Sequence, residues 1–140
     1  MRKPIILVLL ALASHATAKD QKVACPEELE AAAVRIAEPP KGWRGLVPAR
    51  FRLQAAGITL GPLEQHAAQL GETEKLGGKR FKVSYPFMKD SPEEKWLTCR
   101  YGVNEGMVLG TRLPDGTRTC EMLYTPEGHG LFKIDITCKQ

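Results

Sequence analysis

The chain has 140 residues, 43% of them apolar and 26% charged, with 20 basic side chains, 16 acidic ones and four cysteines. That length holds one domain with a modest core. The mixed charge leaves no basic footprint for nucleic acid, and no stretch after the first few residues is apolar enough to cross a membrane.

Met1-Arg2-Lys3 is a short basic start, Ile5 to Ala13 is an uncharged apolar run, and Ala16-Thr17-Ala18 is a small-x-small exit. This order predicts a secretory signal peptide over residues 1–18, cleaved before Lys19. The apolar run is shorter than the roughly 20 residues a membrane anchor needs. Lipidation is rejected, because Cys25 lies well past the apolar core and follows Lys22-Val23-Ala24. The expected product is a single periplasmic domain over 19–140, with no membrane insertion after cleavage. Losing Arg2 and Lys3 lowers the formal charge of +4 by two.

Residues 26–38 support two readings. Leu29, Ala32, Ala33 and Ile36 are spaced as the apolar stripe of a helix, with Pro26, Glu27 and Glu28 suited to its first turn. Ala33 to Ala37 also reads as a strand, and Pro39-Pro40 ends either element. Lys41 to Gly45 is turn-rich. Arg50 to Ala55 alternates as a half-buried strand, and Ile58 to Leu60 continues extended. Gly61-Pro62 breaks the chain, Leu63 to Leu70 suits a short helical turn, and Glu72 to Gly78 reads as a polar loop.

Alternation is clearer in the second half. Arg80 to Tyr85 is a strand closed by Pro86. Trp96 to Tyr101 is another, with Leu97, Cys99 and Tyr101 on one face. Asn104-Glu105-Gly106 turns the chain into Met107–Leu113, and Pro114-Asp115-Gly116 is a strong turn signal. Thr119 to Tyr124 carries Cys120, Met122 and Tyr124 together. After a loop over 125–130, Phe132, Ile134, Ile136 and Cys138 alternate. The expected fold is mainly β: a single antiparallel sheet domain whose residues 95–138 form a four-stranded meander. An N-terminal helix, and with it an α+β class, is the alternative.

Cys25, Cys99, Cys120 and Cys138 all lie in the mature chain, and an even number in an oxidising compartment predicts two disulfides. Their long gaps lack the short paired spacing of a zinc site. Three connectivities are open. Within one meander Cys99 and Cys120 sit on alternate strands about 9–10 Å apart, too far for a bridge. The reading therefore leans to Cys25–Cys99 with Cys120–Cys138.

Several segments together resemble an uncharacterised family of small exported proteobacterial proteins. They are Cys25-Pro26, Pro39 to Trp43, Ile58 to Pro62, Trp96 to Tyr101, Arg112 to Cys120, and Ile136 to Cys138. The resemblance implies a periplasmic β-rich domain without enzymatic activity and carries no assigned role. It also implies an extended start, whereas Glu27 to Ala33 is helix-prone.

No residue pattern points to catalysis, a cofactor or a metal. His66 and His129 lack a nearby nucleophile, and Ser84 and Ser91 are not in a nucleophile elbow. Glu93, Glu94, Glu105 and Asp115 sit in loops where acids are ordinary. Gly77-Gly78-Lys79-Arg80 lacks the remaining residues of a phosphate loop. What remains is a binding surface, with Trp43, Arg44, Tyr85 and Phe87 as candidate interface residues, because aromatic and Arg anchors dominate interfaces. The competing reading has Trp43 and Trp96 filling the core. The expected function is a non-catalytic periplasmic binder, an inhibitor or immunity protein that occludes a toxic or wall-directed enzyme. The alternatives are an envelope-associated structural protein and a small hydrolase.

Overall fold

A computed structural model describes residues 20–140, so the expected signal peptide lies outside the described residues. Nine strands are present there: β1 (Asp20–Val23), β2 (Glu28–Leu29), β3 (Phe51–Leu60), β4 (Glu72–Gly77), β5 (Arg80–Pro86), β6 (Lys95–Tyr101), β7 (Met107–Arg112), β8 (Thr119–Gly128) and β9 (Leu131–Lys139). The mainly β, antiparallel class expected from the alternation is the one adopted. The strands divide into two sheets, a five-stranded one in the order β1-β9-β8-β5-β4 and a four-stranded one in the order β2-β3-β6-β7.

The four-stranded meander expected over 95–138 is therefore two hairpins, β6–β7 in one sheet and β8–β9 in the other. The Pro114 turn does not fold the chain back onto its neighbour; it carries the chain between sheets. Thr117 N–H closes this turn on the Pro114 carbonyl at 3.0 Å, and its hydroxyl donates to the same oxygen at 2.7 Å. The buried Lys95 ammonium donates to the Asp115 carbonyl at 3.1 Å and lies 5.6 Å from the centre of the Phe87 ring. These contacts hold the crossing in place from the first residue of β6.

The N-terminal helix is absent. Ala31–Ala33 make a single 3₁₀ turn instead. Tertiary pairing outweighs the local helical spacing, as Leu53 N–H takes the Glu27 carbonyl that a helix would use internally. Glu28 and Leu29 pair with Arg52 and Phe51 instead, and Leu29 packs against the core. The polar segment 72–77, read as a loop, is the edge strand β4. It is exposed along its whole length, so no alternation marks it. Its hairpin turns at Gly78-Lys79, with φ of 57° and 60°, the left-handed pair that matches strand twist.

One irregularity aligns the core. The pairing of β3 with β6 shifts register between Leu53 and Ala55. Leu53 faces inward before the shift, and Ala56 and Ile58 face inward after it. The extra residue moves the inward set from odd to even positions. Leu97, Cys99 and Tyr101 of β6 then meet Cys120, Met122 and Tyr124 of β8 and Ile136 and Cys138 of β9 in one cluster. Phe81 stacks on Tyr124 at 4.5 Å between ring centres, and Phe132 closes on both edge-on.

The second edge of β3 is completed piecewise. Leu53 N–H donates to Glu27 O, Gln69 N–H donates to Ile58 O, and Leu60 N–H donates to Ala67 O. In the gap between them stands the Tyr124 hydroxyl. It accepts from Ala56 N–H at 3.1 Å and donates to Ala56 C=O at 2.8 Å, joining one sheet to the other.

The disulfides are Cys25–Cys99 and Cys120–Cys138. The pairing is the one favoured from the sequence, for a different reason. Cys99 and Cys120 lie in different sheets, so strand spacing within one sheet does not separate them. Cys120 and Cys138 are directly opposite on β8 and β9. Cys25 sits on the segment that passes from β1 in one sheet to β2 in the other, and its bond to β6 fixes that crossing.

Candidate functional site

The four candidate interface residues occupy two places. Tyr85 and Phe87 are at the end of β5. Tyr85 is 7% exposed and packs beside Gly71, where a Cβ would run into the Val83 and Tyr85 side chains. Burial pushes its phenol above the ordinary tyrosine range, partly offset by Arg100. Phe87 is half-buried under the Lys95 ammonium. Both belong to the framework of the domain more than to its surface, although Met88 beside them is exposed.

Trp43 and Arg44 are placed differently. They lie on the long connection that leaves β2 and returns to its neighbour β3, so its two limbs start side by side. Its base is clamped by Glu28, which takes Arg50 at 2.8 Å and Arg52 at 3.3 Å. The hydrogen bond from Arg50 holds the Glu28 carboxyl below its usual value, and the same contact raises Arg50. Farther out, Gly45 meets Ile36 so closely that a Cβ would stand 2.6 Å from the Ile36 Cβ. At the tip Trp43 N–H closes on the Pro40 carbonyl at 2.9 Å. Gly42 has φ of 87°, the left-handed conformation needed at the third position of such a turn.

This geometry turns Trp43 outward. It is 74% exposed, and Leu46, two residues past Arg44, is 79% exposed. Trp43 is thus not a core residue; Trp96, by contrast, is half-buried and donates its indole N–H to Glu94 at 3.1 Å. Between the limbs lies an open groove of about 390 Å³, lined by Ala31, Ala32, Val34, Ile36, Leu46 and Val47. Arg35, Lys41 and Arg44 on the same connection have no carboxylate partner among the described residues. Ile36 and Leu46 escape a reading based on periodicity. Ile36 fits a helical stripe, and only the Pro39-Pro40 break hints that it belongs to a projecting loop.

The groups considered for chemistry do not converge. His66 follows the 3₁₀ turn Leu63–Gln65, and His129 sits at the tip of the β8–β9 hairpin; both are exposed. Glu94 and Asp115 are engaged by Arg112, and Glu105 by Arg100. Among the described residues all four cysteines are in disulfides, and no three potential ligands gather for a metal. What the surface offers is an exposed aromatic, apolar and cationic loop on a braced scaffold.

The model of the type VI secretion system Tli immunity protein family matches residues 48–139. The chain belongs to this family. As a Tli immunity protein it is a non-catalytic binder of a secreted effector enzyme, and the hydrolase alternative falls away. The match supplies a role, which the resemblance read from the sequence did not carry. The match takes in the block from Trp96 to Cys120 and leaves Cys25-Pro26 and Trp43 ahead of its first residue. None of the curated proteins and none of the solved structures matches the chain.

Proposed function

We propose that this immunity protein is exported by the signal peptide over 1–18, matures as the domain over 19–140, and protects the periplasm by occluding a toxic effector, such as a wall-directed enzyme. The connection between β2 and β3 makes the contact, with Trp43 and Arg44 as anchors and Ile36 and Leu46 around them. The observation that carries this is the exposure of Trp43 on a loop whose base is tied by Glu28 and whose tip is set by a hydrogen-bonded turn. A large aromatic left in water is unfavourable for an isolated domain, and interfaces concentrate their energy in such Trp and Arg residues. A turn already formed in the free protein also reduces the ordering lost on binding. Buried Tyr85 and half-buried Phe87 support the loop's scaffold in this reading and are not its contact residues.

The test is titration calorimetry of the oxidised mature protein against the effector that its own secretion system delivers. The double variant Trp43→Ala with Arg44→Ala is expected to lose about 100-fold in affinity, as hot-spot truncations do. It should also lose protection of effector-exposed cells while its melting temperature is unchanged. Wild-type affinity in that variant would remove the loop from the interface.

A further inference from the structure

Each sheet exposes two edges, and three of the four are guarded. β1 carries Asp20 and Lys22, β2 is two residues long, and β4 carries Glu72, Glu74 and Lys75 with a register shift at Gly77. Charge, shortness and irregularity are the usual defences of a sheet edge. β7 has none of them over its first five residues. Met107-Val108-Leu109-Gly110-Thr111 is uncharged, contains no proline, and pairs with β6 without a shift.

The open hydrogen-bonding groups follow from the register. Leu113 N–H donates to Lys95 O, opposite it across the ladder. Antiparallel pairs alternate, so Leu109 opposite Cys99 also bonds inward, while Val108, Gly110 and Arg112 turn their N–H and C=O groups to the free edge. No backbone hydrogen bond among the described residues takes them up. Leu109 shares the core-facing side of the sheet with Cys99, yet it is 42% exposed because β7 is the last strand.

We propose that this edge pairs antiparallel with β7 of a second copy, with the two-fold axis at Leu109. In that register Val108 of one copy exchanges backbone hydrogen bonds with Gly110 of the other. Leu109 meets Leu109 in the close, non-hydrogen-bonded position, and each Arg112 stands opposite Gly106, away from its like charge. A two-fold axis at Gly110 would set Leu109 against Thr111 and leave the apolar side chain without its match. The strand is its own complement, and that selects a second copy as the occupant. The two four-stranded sheets join into one sheet of eight. A six-residue edge buries less than the ~1,200 Å² of a standard interface, so the dimer is weak and concentration-dependent.

Sedimentation velocity of the oxidised mature protein, from about 1 µM to about 500 µM, reads this directly. The wild type should rise toward twice the monomer mass. Leu109→Lys puts a guard charge on the axis, and Val108→Pro removes an N–H that bonds to nothing within the subunit. Both variants should stay monomeric with wild-type melting temperatures. A wild type that remains monomeric at the highest concentration overturns the proposal, and so do two folded variants that dimerise like wild type. A monomeric wild type whose effector affinity drops in Leu109→Lys would give the edge to the effector instead, and self-pairing would again be wrong.

Discussion

The Tyr124 hydroxyl does two jobs that no apolar replacement can take over. It satisfies both backbone groups of Ala56 in the gap on the second edge of β3, and it ties the sheets together. Tyr124→Phe keeps the ring stacked on Phe81 but leaves a buried N–H and a buried C=O unpaired. The expected loss is about 2–3 kcal/mol in urea unfolding, with the slope unchanged. The buried phenols also set an alkaline limit. Burial pushes Tyr85, Tyr101 and Tyr124 above the ordinary value of 10.0. The folded state therefore holds protons that the unfolded chain releases near pH 10. The stability this gives is fully present below that pH and is lost as pH rises through the folded values. Thermal melts between about pH 8 and pH 12 should show a falling midpoint above about pH 10, together with tyrosinate absorbance that appears only on unfolding. A flat midpoint with early tyrosinate absorbance would mean that these phenols ionise in place.

Each disulfide serves a different element. Cys120–Cys138 joins neighbouring strands that already pair along their length, across a separation of 18 residues. Cys25–Cys99 spans 74 residues and covalently fixes the crossing between β1 and the two-residue β2, where the Tyr101 hydroxyl on the Pro26 carbonyl and Leu53 N–H on the Glu27 carbonyl are the neighbouring non-covalent ties. Loop-closure entropy gives about 3 kcal/mol for the short bridge and about 4 kcal/mol for the long one. Replacing Cys25 and Cys99 together by Ala should therefore cost more than replacing Cys120 and Cys138, by equilibrium denaturation. It should also loosen the connection that carries Trp43, since β2 supplies its first limb. The reverse order of stabilities would show that β1 and β2 hold the amino-terminal segment without the bridge. At this scale the sequence is legible wherever one face of a strand is buried: β5, β6, β8 and β9 all announce themselves by alternation. β4 does not, because an exposed edge strand has no buried face to record. β3 is legible only in part, since the shift between Leu53 and Ala55 breaks the period of two into separate pieces.

On the scale of the whole molecule, two covalent bridges and two sheets over one core describe a domain made for an oxidising compartment. The proposed export through a signal peptide over 1–18 predicts that the mature protein begins at Lys19, which intact-mass measurement of a periplasmic extract checks; a mass that retains Met1 would contradict it. The sequence by itself determined the strand-rich class and the even set of cysteines. These follow from local periodicity and residue chemistry, which neighbouring residues already record. Only the tertiary structure decided that residues 95–138 split between two sheets, that Tyr85 is buried while Trp43 faces solvent, and that β7 is left as an unguarded edge. The physical reason is that alternation says which face of a strand is buried but not which strand lies beside it. The contacts that settle the partners, such as Tyr124 with Ala56 across 68 residues, leave no local trace in the chain.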